Sequence, residues 1–135
     1  MTKLALAAIA AAVLATAAAP DANAAPPSAA SAGAKVFAAN CSGCHGANGT
    51  GVPGTFPSLA ANPYVSGDPK RVIHTVKYGL QGKIVAKGVT YDGVMPAWNG
   101  TLSDAQIAAV ISYVRTTWGN HGSPVSVAQV KAVSK

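Results

Sequence analysis

Glutamate is absent from this chain of 135 residues, and its four aspartates face ten lysines and arginines. The formal net charge at pH 7 is +6, so an acidic partner suits this surface better than a basic one. Aromatic residues make up only 6% and are not interleaved with the basic ones, which argues against a nucleic-acid surface. Cysteine occurs twice, at Cys41 and Cys44. Once that pair is used, nothing is left for a disulfide framework. After the first residues no stretch is apolar enough to cross a bilayer, so no stable membrane insertion is expected of the mature chain. Internal repeats are also missing, and the chain reads as one small domain of about 110 residues behind a leader.

The two cysteines stand in Cys41-Ser42-Gly43-Cys44-His45. Two thiols separated by two residues and followed at once by a histidine form the attachment pattern for c-type haem. Each thiol forms a thioether with a haem vinyl group, and the histidine is held under the iron as proximal ligand. Two other readings compete. A redox dithiol wants a βαβ pattern around it, which is missing. A tetrahedral zinc site needs four ligands, usually in two spaced pairs, and His74 and His121 form no second pair. The motif points first to one covalently attached haem c.

The start of the chain agrees with that chemistry. Lys3 begins a short positive region, Leu4 to Ala19 is apolar and rich in alanine, and Ala22-Asn23-Ala24 fits the cleavage rule of a secretory signal. Residues 1–24 are expected to be a signal peptide cleaved near Ala24, with the mature protein in the periplasm. An uncleaved anchor is the rival, but the segment is short for a span and reaches Pro20 early. Residues 25–31 read as a flexible lead-in and residues 32–135 as the folded domain.

Along the domain, Ser31 is placed to cap a first helix from about Ala32 into Cys41, with Val36 and Phe37 on its apolar face. Gly46 to Gly54 is rich in glycine. It lacks the Gly-Lys-Ser/Thr ending of a phosphate loop and has no strand before it, so its expected role is to let the backbone pass close to the haem. Asp68 as N-cap and Pro69 at the first helical position start a helix that carries Val72, Ile73 and Val76 and stops at Gly79. Ile84 to Val94 reads as a loop or a small β-ribbon before Met95. Ser103-Asp104-Ala105-Gln106 is a capping box for the last long helix. On that helix Ile107, Val110, Ile111 and Val114 repeat at helical spacing, and Trp118 continues the face. Ser126 to Val133 is a candidate final turn. Half of the positive charges fall between Lys70 and Lys87: Lys70, Arg71, Lys77, Lys83 and Lys87. The plain reading is a solvated face; the sharper one is a docking surface for an acidic redox partner.

A haem that only transfers electrons needs both axial positions filled. Met95 is one of two methionines, the other being Met1. It stands in Gly93-Val94-Met95-Pro96-Ala97-Trp98, where Pro96 stiffens the loop. Methionine more often packs a core than binds a metal, but a lone Met-Pro downstream of this motif favours ligation. His74 is the rival sixth ligand, inside a predicted helix; His121 lies beyond the last one.

With these parts in place, Ser31 to about Asn120 resembles the class I cytochrome c family. The resemblance implies an all-α fold in which the first and last helices cross and loops enclose the haem. That family packs a glycine and an aromatic of the first helix against an aromatic of the last, and Gly33, Phe37 and Tyr113 stand where this needs them. It also uses a proline carbonyl to accept a hydrogen bond from the proximal histidine. Pro57, in Phe56-Pro57-Ser58-Leu59, is the matching residue, with an ordinary turn proline as the alternative. Such a bond would fix the imidazole and raise its donor strength. The early position of the motif argues against the four-helix cytochrome c′ type. Tyr91 to Trp98, Leu102-Ser103-Asp104 and Trp118-Gly119-Asn120 are similar to the cytochrome domains of quinoprotein dehydrogenases and haem-fused copper nitrite reductases.

The resemblance implies an electron-transfer protein rather than an enzyme: a soluble periplasmic mono-haem carrier with His45 and Met95 as iron ligands. The partners it implies are redox proteins with acidic docking surfaces, namely a terminal oxidase, a nitrite reductase or a dehydrogenase. The alternatives are a small cytochrome subunit of such a complex, or a haem enzyme or sensor with a displaceable sixth ligand. The last needs an open sixth site, and no arginine or histidine is placed as a distal catalyst.

Overall fold

A computed structural model of the chain describes residues 28–135. The expected signal peptide, its cleavage site and the start of the lead-in lie outside the described residues. The elements run α1 (Ala29–Asn40), α2 (Ser42–His45), α3 (Pro63–Ser66), α4 (Pro69–Tyr78), β1 (Leu80–Ala86), β2 (Val89–Met95), α5 (Asp104–Thr116) and α6 (Val127–Ala132). No helix among the described residues is long and apolar enough to cross a membrane.

Helix α1 starts earlier than the expected Ala32, so the end of the supposed flexible lead-in is helical. Ser28 is the N-cap: its hydroxyl accepts from the Ser31 amide at 3.2 Å, and the Ser31 hydroxyl donates to the Ser28 carbonyl at 2.9 Å. Either serine could cap on chemistry alone. Ala29 and Ala30 are strong helix formers and carry the helix back to the earlier one.

Helix α1 packs on α5 at Gly33. A Cβ placed there would fall on the Ala109 carbonyl oxygen and within 2.6 Å of Tyr113 Cβ, so only glycine permits this approach. One turn on, Phe37 is buried against Tyr113 and Trp118, with ring centroids at 5.9 and 4.9 Å. Ile73, Ile107, Ile111 and Val130 complete the solvent-free centre.

Helix α5 begins at the expected capping box: the Ser103 hydroxyl accepts from the Gln106 amide, and the Gln106 side chain accepts from the Ser103 amide. It ends at Thr116, and Trp118 lies outside it with φ 53°. Trp118 therefore does not continue the helical face, although its ring still packs there. A continuing helix would give the Val114 carbonyl to the amide of residue 118. Asn120 Nδ2 takes that carbonyl instead, at 2.9 Å. Asn120 is buried and fully used: Nδ2 also donates to Leu59 O at 2.8 Å, while Oδ1 accepts from the Asn62 amide and the Ser66 hydroxyl. The segment after His45 is thereby tied to the end of α5.

Helix α4 follows its sequence signals, with Asp68 accepting from the Lys70 amide at 2.9 Å and Pro69 at the first position. Lys77 departs from them. Counted above among the surface charges, it is 6% exposed and its ammonium donates to Val130 O at 2.9 Å and Val133 O at 2.6 Å. Lys77 lies one turn after the fully buried Ile73 and shares its face. The carbonyl end of α6 receives the charge. The surface cations of this region are Lys70, Arg71, Lys83 and Lys87.

The ribbon expected before Met95 is an antiparallel hairpin that starts at Leu80, earlier than Ile84. It pairs Leu80 with Met95 and closes at Ala86 and Val89. Lys87 and Gly88 form the two-residue turn with φ 52° and 78°, the positive pair that a type I′ turn requires. The fold is thus helix-rich with one two-stranded sheet, not purely α. Helix α6 has its own capping box at Ser126.

Candidate haem site

One cavity of about 630 Å³ gathers the residues singled out from the sequence: Cys41, Cys44, His45, Pro57 and Met95 all line it. Its size lies within the roughly 300–1,000 Å³ typical of cofactor sites. Phe37 closes one side, Val72 and Val76 come from α4, and Val110, Ile111 and Val114 come from α5. The hairpin turns one face inward, with Gly82, Ile84, Tyr91 and Gly93 along the wall. A groove of about 660 Å³ lies between α4 and the C-terminal segment. It contains His74 but no cysteine. His74 is exposed and packs on Tyr78 at 5.1 Å, and His121 is exposed after α5. Neither reaches the cavity wall.

The motif is a helical turn appended to α1. The Cys41 amide donates to Phe37 O at 2.9 Å, and the Cys44 and His45 amides both donate to Cys41 O. Helical spacing sets both thiols on one side of the turn. The two cysteines do not form a disulfide; Cys41 is half-buried and Cys44 exposed. Burial, and then the neighbouring Cys44, push the Cys41 thiol up to about 11, so without a thioether it is protonated at neutral pH.

His45 Nδ1 lies 3.0 Å from Pro57 O. A carbonyl only accepts, so this contact assigns the ring proton to Nδ1 and leaves the Nε2 lone pair free. Burial pulls the His45 pKa below its ordinary value, and the Pro57 bond opposes that in part. The imidazole is therefore neutral at pH 7, the form that binds metals. Pro57 is placed by Gly51, which donates to His45 O at 2.7 Å and whose α-carbon faces the Phe56 and Pro57 backbone. This corrects the reading of the glycine-rich loop. Gly46, Gly49, Gly51 and Gly54 are not part of the cavity wall; Gly49 and Gly51 allow close approach to Trp118 and to Pro57.

Met95 ends β2, half-buried, on another wall of the cavity. The loop after it is pinned to the end of α4: the Trp98 amide donates to Val76 O and the Asn99 amide to Lys77 O, each at 3.0 Å. Sequence reasoning missed the polar part of the wall. The Tyr64 and Thr75 hydroxyls meet at 2.8 Å, Arg71 stacks over the Tyr64 ring at 4.7 Å, and Lys87 donates to Ala60 O at 3.2 Å. No periodicity marks these residues, because they come from three separate elements.

The donor set fits haem c. Two thiols, a neutral imidazole with one free nitrogen and a thioether surround a largely apolar space with two cations at its border. A zinc site is not supported: among the described residues no group of three His, Cys, Asp or Glu side chains is arranged to hold a metal ion.

The sequence model of the family described as "Cytochrome c" matches residues 30–118. The chain belongs to the cytochrome c family. Members of this family hold haem c covalently and carry electrons. The cytochrome is 44% identical over 92 residues to cytochrome c-552 of Thermus thermophilus, covering 65% of this chain and 69% of that protein. It is 39% identical over 93 residues to the cytochrome c subunit of the quinone alcohol dehydrogenase of Gluconobacter oxydans, covering 67% of this chain and 19% of that subunit. It is 38% identical over 92 residues to subunit FixP of the cbb3-type cytochrome c oxidase of a Bradyrhizobium species, covering 67% and 28%. The match therefore spans less than a third of the dehydrogenase and oxidase subunits. Helix α6 lies beyond the stretch that the family model matches.

Proposed function

We propose that this cytochrome is a mono-haem carrier of single electrons in the periplasm, working between respiratory or denitrifying redox partners. The observation that carries this reading is the convergence of Cys41, Cys44, His45, Pro57 and Met95 on one apolar cavity. Cys41 and Cys44 would hold the haem through thioethers, and His45 Nε2 and the Met95 sulfur would bind its iron. Bound there, the haem supplies a one-electron Fe(III)/Fe(II) couple. The Pro57 carbonyl accepts a hydrogen bond from His45 Nδ1–H and fixes the ring. A methionine ligand favours the reduced state, and the apolar walls act in the same direction by disfavouring extra positive charge. Arg71 and Lys87 would meet the carboxylates of the haem. The packing of α1 on α5 supports a first-and-last helix crossing, and the loops after His45 and Met95 would enclose the haem. The secretory pattern up to Ala24 supports export.

The deciding experiment is spectroscopic. The ferric holoprotein should show the near-infrared sulfur-to-iron band, and Met95→Ala should lose it. Axial ligands tune haem potentials over roughly 0.8 V, and the variant's potential should fall by on the order of 0.1 V or more. A wild-type spectrum without the band would overturn the Met95 assignment.

Lys70 and Lys83, exposed and away from the cavity wall, support docking to an acidic surface. Electron transfer to such a partner should slow at least about tenfold from low to high ionic strength. A rate indifferent to salt would leave these charges as a solvated face. A second reading is favoured by the relatives that are subunits of a dehydrogenase and an oxidase: the chain would then be a bound subunit, and it would travel with a larger complex on size exclusion.

A further inference from the structure

The C-terminal segment and the Met95 loop grip the same end of α4, Val76 to Tyr78. From one side, the Lys77 ammonium donates to Val130 O at 2.9 Å and Val133 O at 2.6 Å, and the Tyr78 hydroxyl donates to Val133 O at 3.1 Å. From the other side, Val76 O and Lys77 O accept from the Trp98 and Asn99 amides. A Cβ at Gly79 would come within 2.6 Å of Met95 O, and the next residue, Leu80, pairs with Met95 in the hairpin.

Lys77 is the costly part of this junction. A buried ammonium is tolerated only when its donors are taken up. Here the carbonyl end of α6 supplies two acceptors and the negative end of a short helix, and the Tyr78 ring adds a face at 5.3 Å. The segment that supplies them lies beyond the stretch shared with the family. Val130 anchors it, fully buried. Farther back, Ser112 closes its base by donating to Val125 O at 3.1 Å and accepting from the Val125 amide at 2.8 Å.

We infer that the segment after α5 is a strap that holds the Met95 loop closed through the end of α4, with Lys77 and Tyr78 as positioning residues for the iron's sixth ligand. The inference rests on the reading of Met95 as that ligand. The strap sets how often the loop opens. An external ligand that competes for the sixth position binds in proportion to the open population.

The test uses full-length ferric holoprotein with imidazole as the competing ligand. Lys77→Leu removes the ammonium without adding a thioether, and should bind imidazole about tenfold more tightly while keeping the sulfur-to-iron band in the absence of imidazole. Tyr78→Phe removes only one hydroxyl, and should give a smaller gain of about threefold; it also serves if Lys77→Leu does not fold. Ser28→Ala, at the distant cap of α1, should lower the melting temperature without changing imidazole affinity. Wild-type affinity in both strap variants, with the band present, would overturn the strap alone. An equal gain in Ser28→Ala would overturn it too, by reducing the effect to general loosening. A wild-type protein with no band would overturn the ligand reading and the strap together.

Discussion

Replacing both Cys41 and Cys44 by serine should abolish covalent haem. After denaturing electrophoresis the haem stain should fall to background, whereas each single variant keeps one thioether and part of the signal. Both thiols project from one helical turn and both line the cavity, so no other side chain can take over the bond. The consequence for folding is as large. A cavity of about 630 Å³ far exceeds the void left by truncating one core side chain, and each cubic ångström left empty costs about 24 cal/mol where the walls cannot collapse. The double variant should therefore lose its cooperative thermal transition. Wild-type staining would show that the haem is attached elsewhere.

Gly51→Ala should damage the site from behind. Gly51 has φ 68°, and an added Cβ would fall on Phe56 O and within 2.7 and 2.8 Å of the Pro57 carbonyl carbon and oxygen. That is the carbonyl that accepts from His45 Nδ1 at 3.0 Å. The left-handed conformation and the backbone clash together should cost about 2–4 kcal/mol in denaturant unfolding. Moving the carbonyl also weakens the imidazole as a donor. A weaker donor stabilises Fe(III) less, so the midpoint potential should rise, by on the order of tens of millivolts. Unchanged stability and potential would mean that Gly51 does not hold Pro57 in place.

Local chemistry was legible in the sequence wherever it repeats a known rule. Asp68 with Pro69, and Ser103 with Gln106, mark helix starts that the structure keeps. Cys41, Cys44, His45 and Met95, proposed to hold the haem, all line one cavity. What could not be read depends on partners far along the chain. Lys77 looks like one more surface charge until α6 places two carbonyls against it. Trp118 looks helical until Asn120 takes the Val114 carbonyl. Ser28 and Ser31 are equivalent as caps, and only the helix propensity of Ala29 and Ala30 separates them. Gly51 sits among glycines that look alike, and its task appears only once Phe56 and Pro57 fold back over it. The hairpin extends to Leu80 because its register pairs Leu80 with Met95, which one strand alone does not reveal.

The pairing of α1 with α5 reaches beyond the site. Gly33 lies near the start of the first helix and meets Ala109 and Tyr113; Phe37 meets Trp118, just past the end of α5. The stretch that the family model matches begins in α1, at residue 30, and ends just past α5, at residue 118. The first helix and the last long helix of that stretch thus pack on each other, and the stretch closes on itself. A unit that closes on itself can be carried within a longer polypeptide. Such portability fits matches that cover 69% of one relative but 19% and 28% of two others.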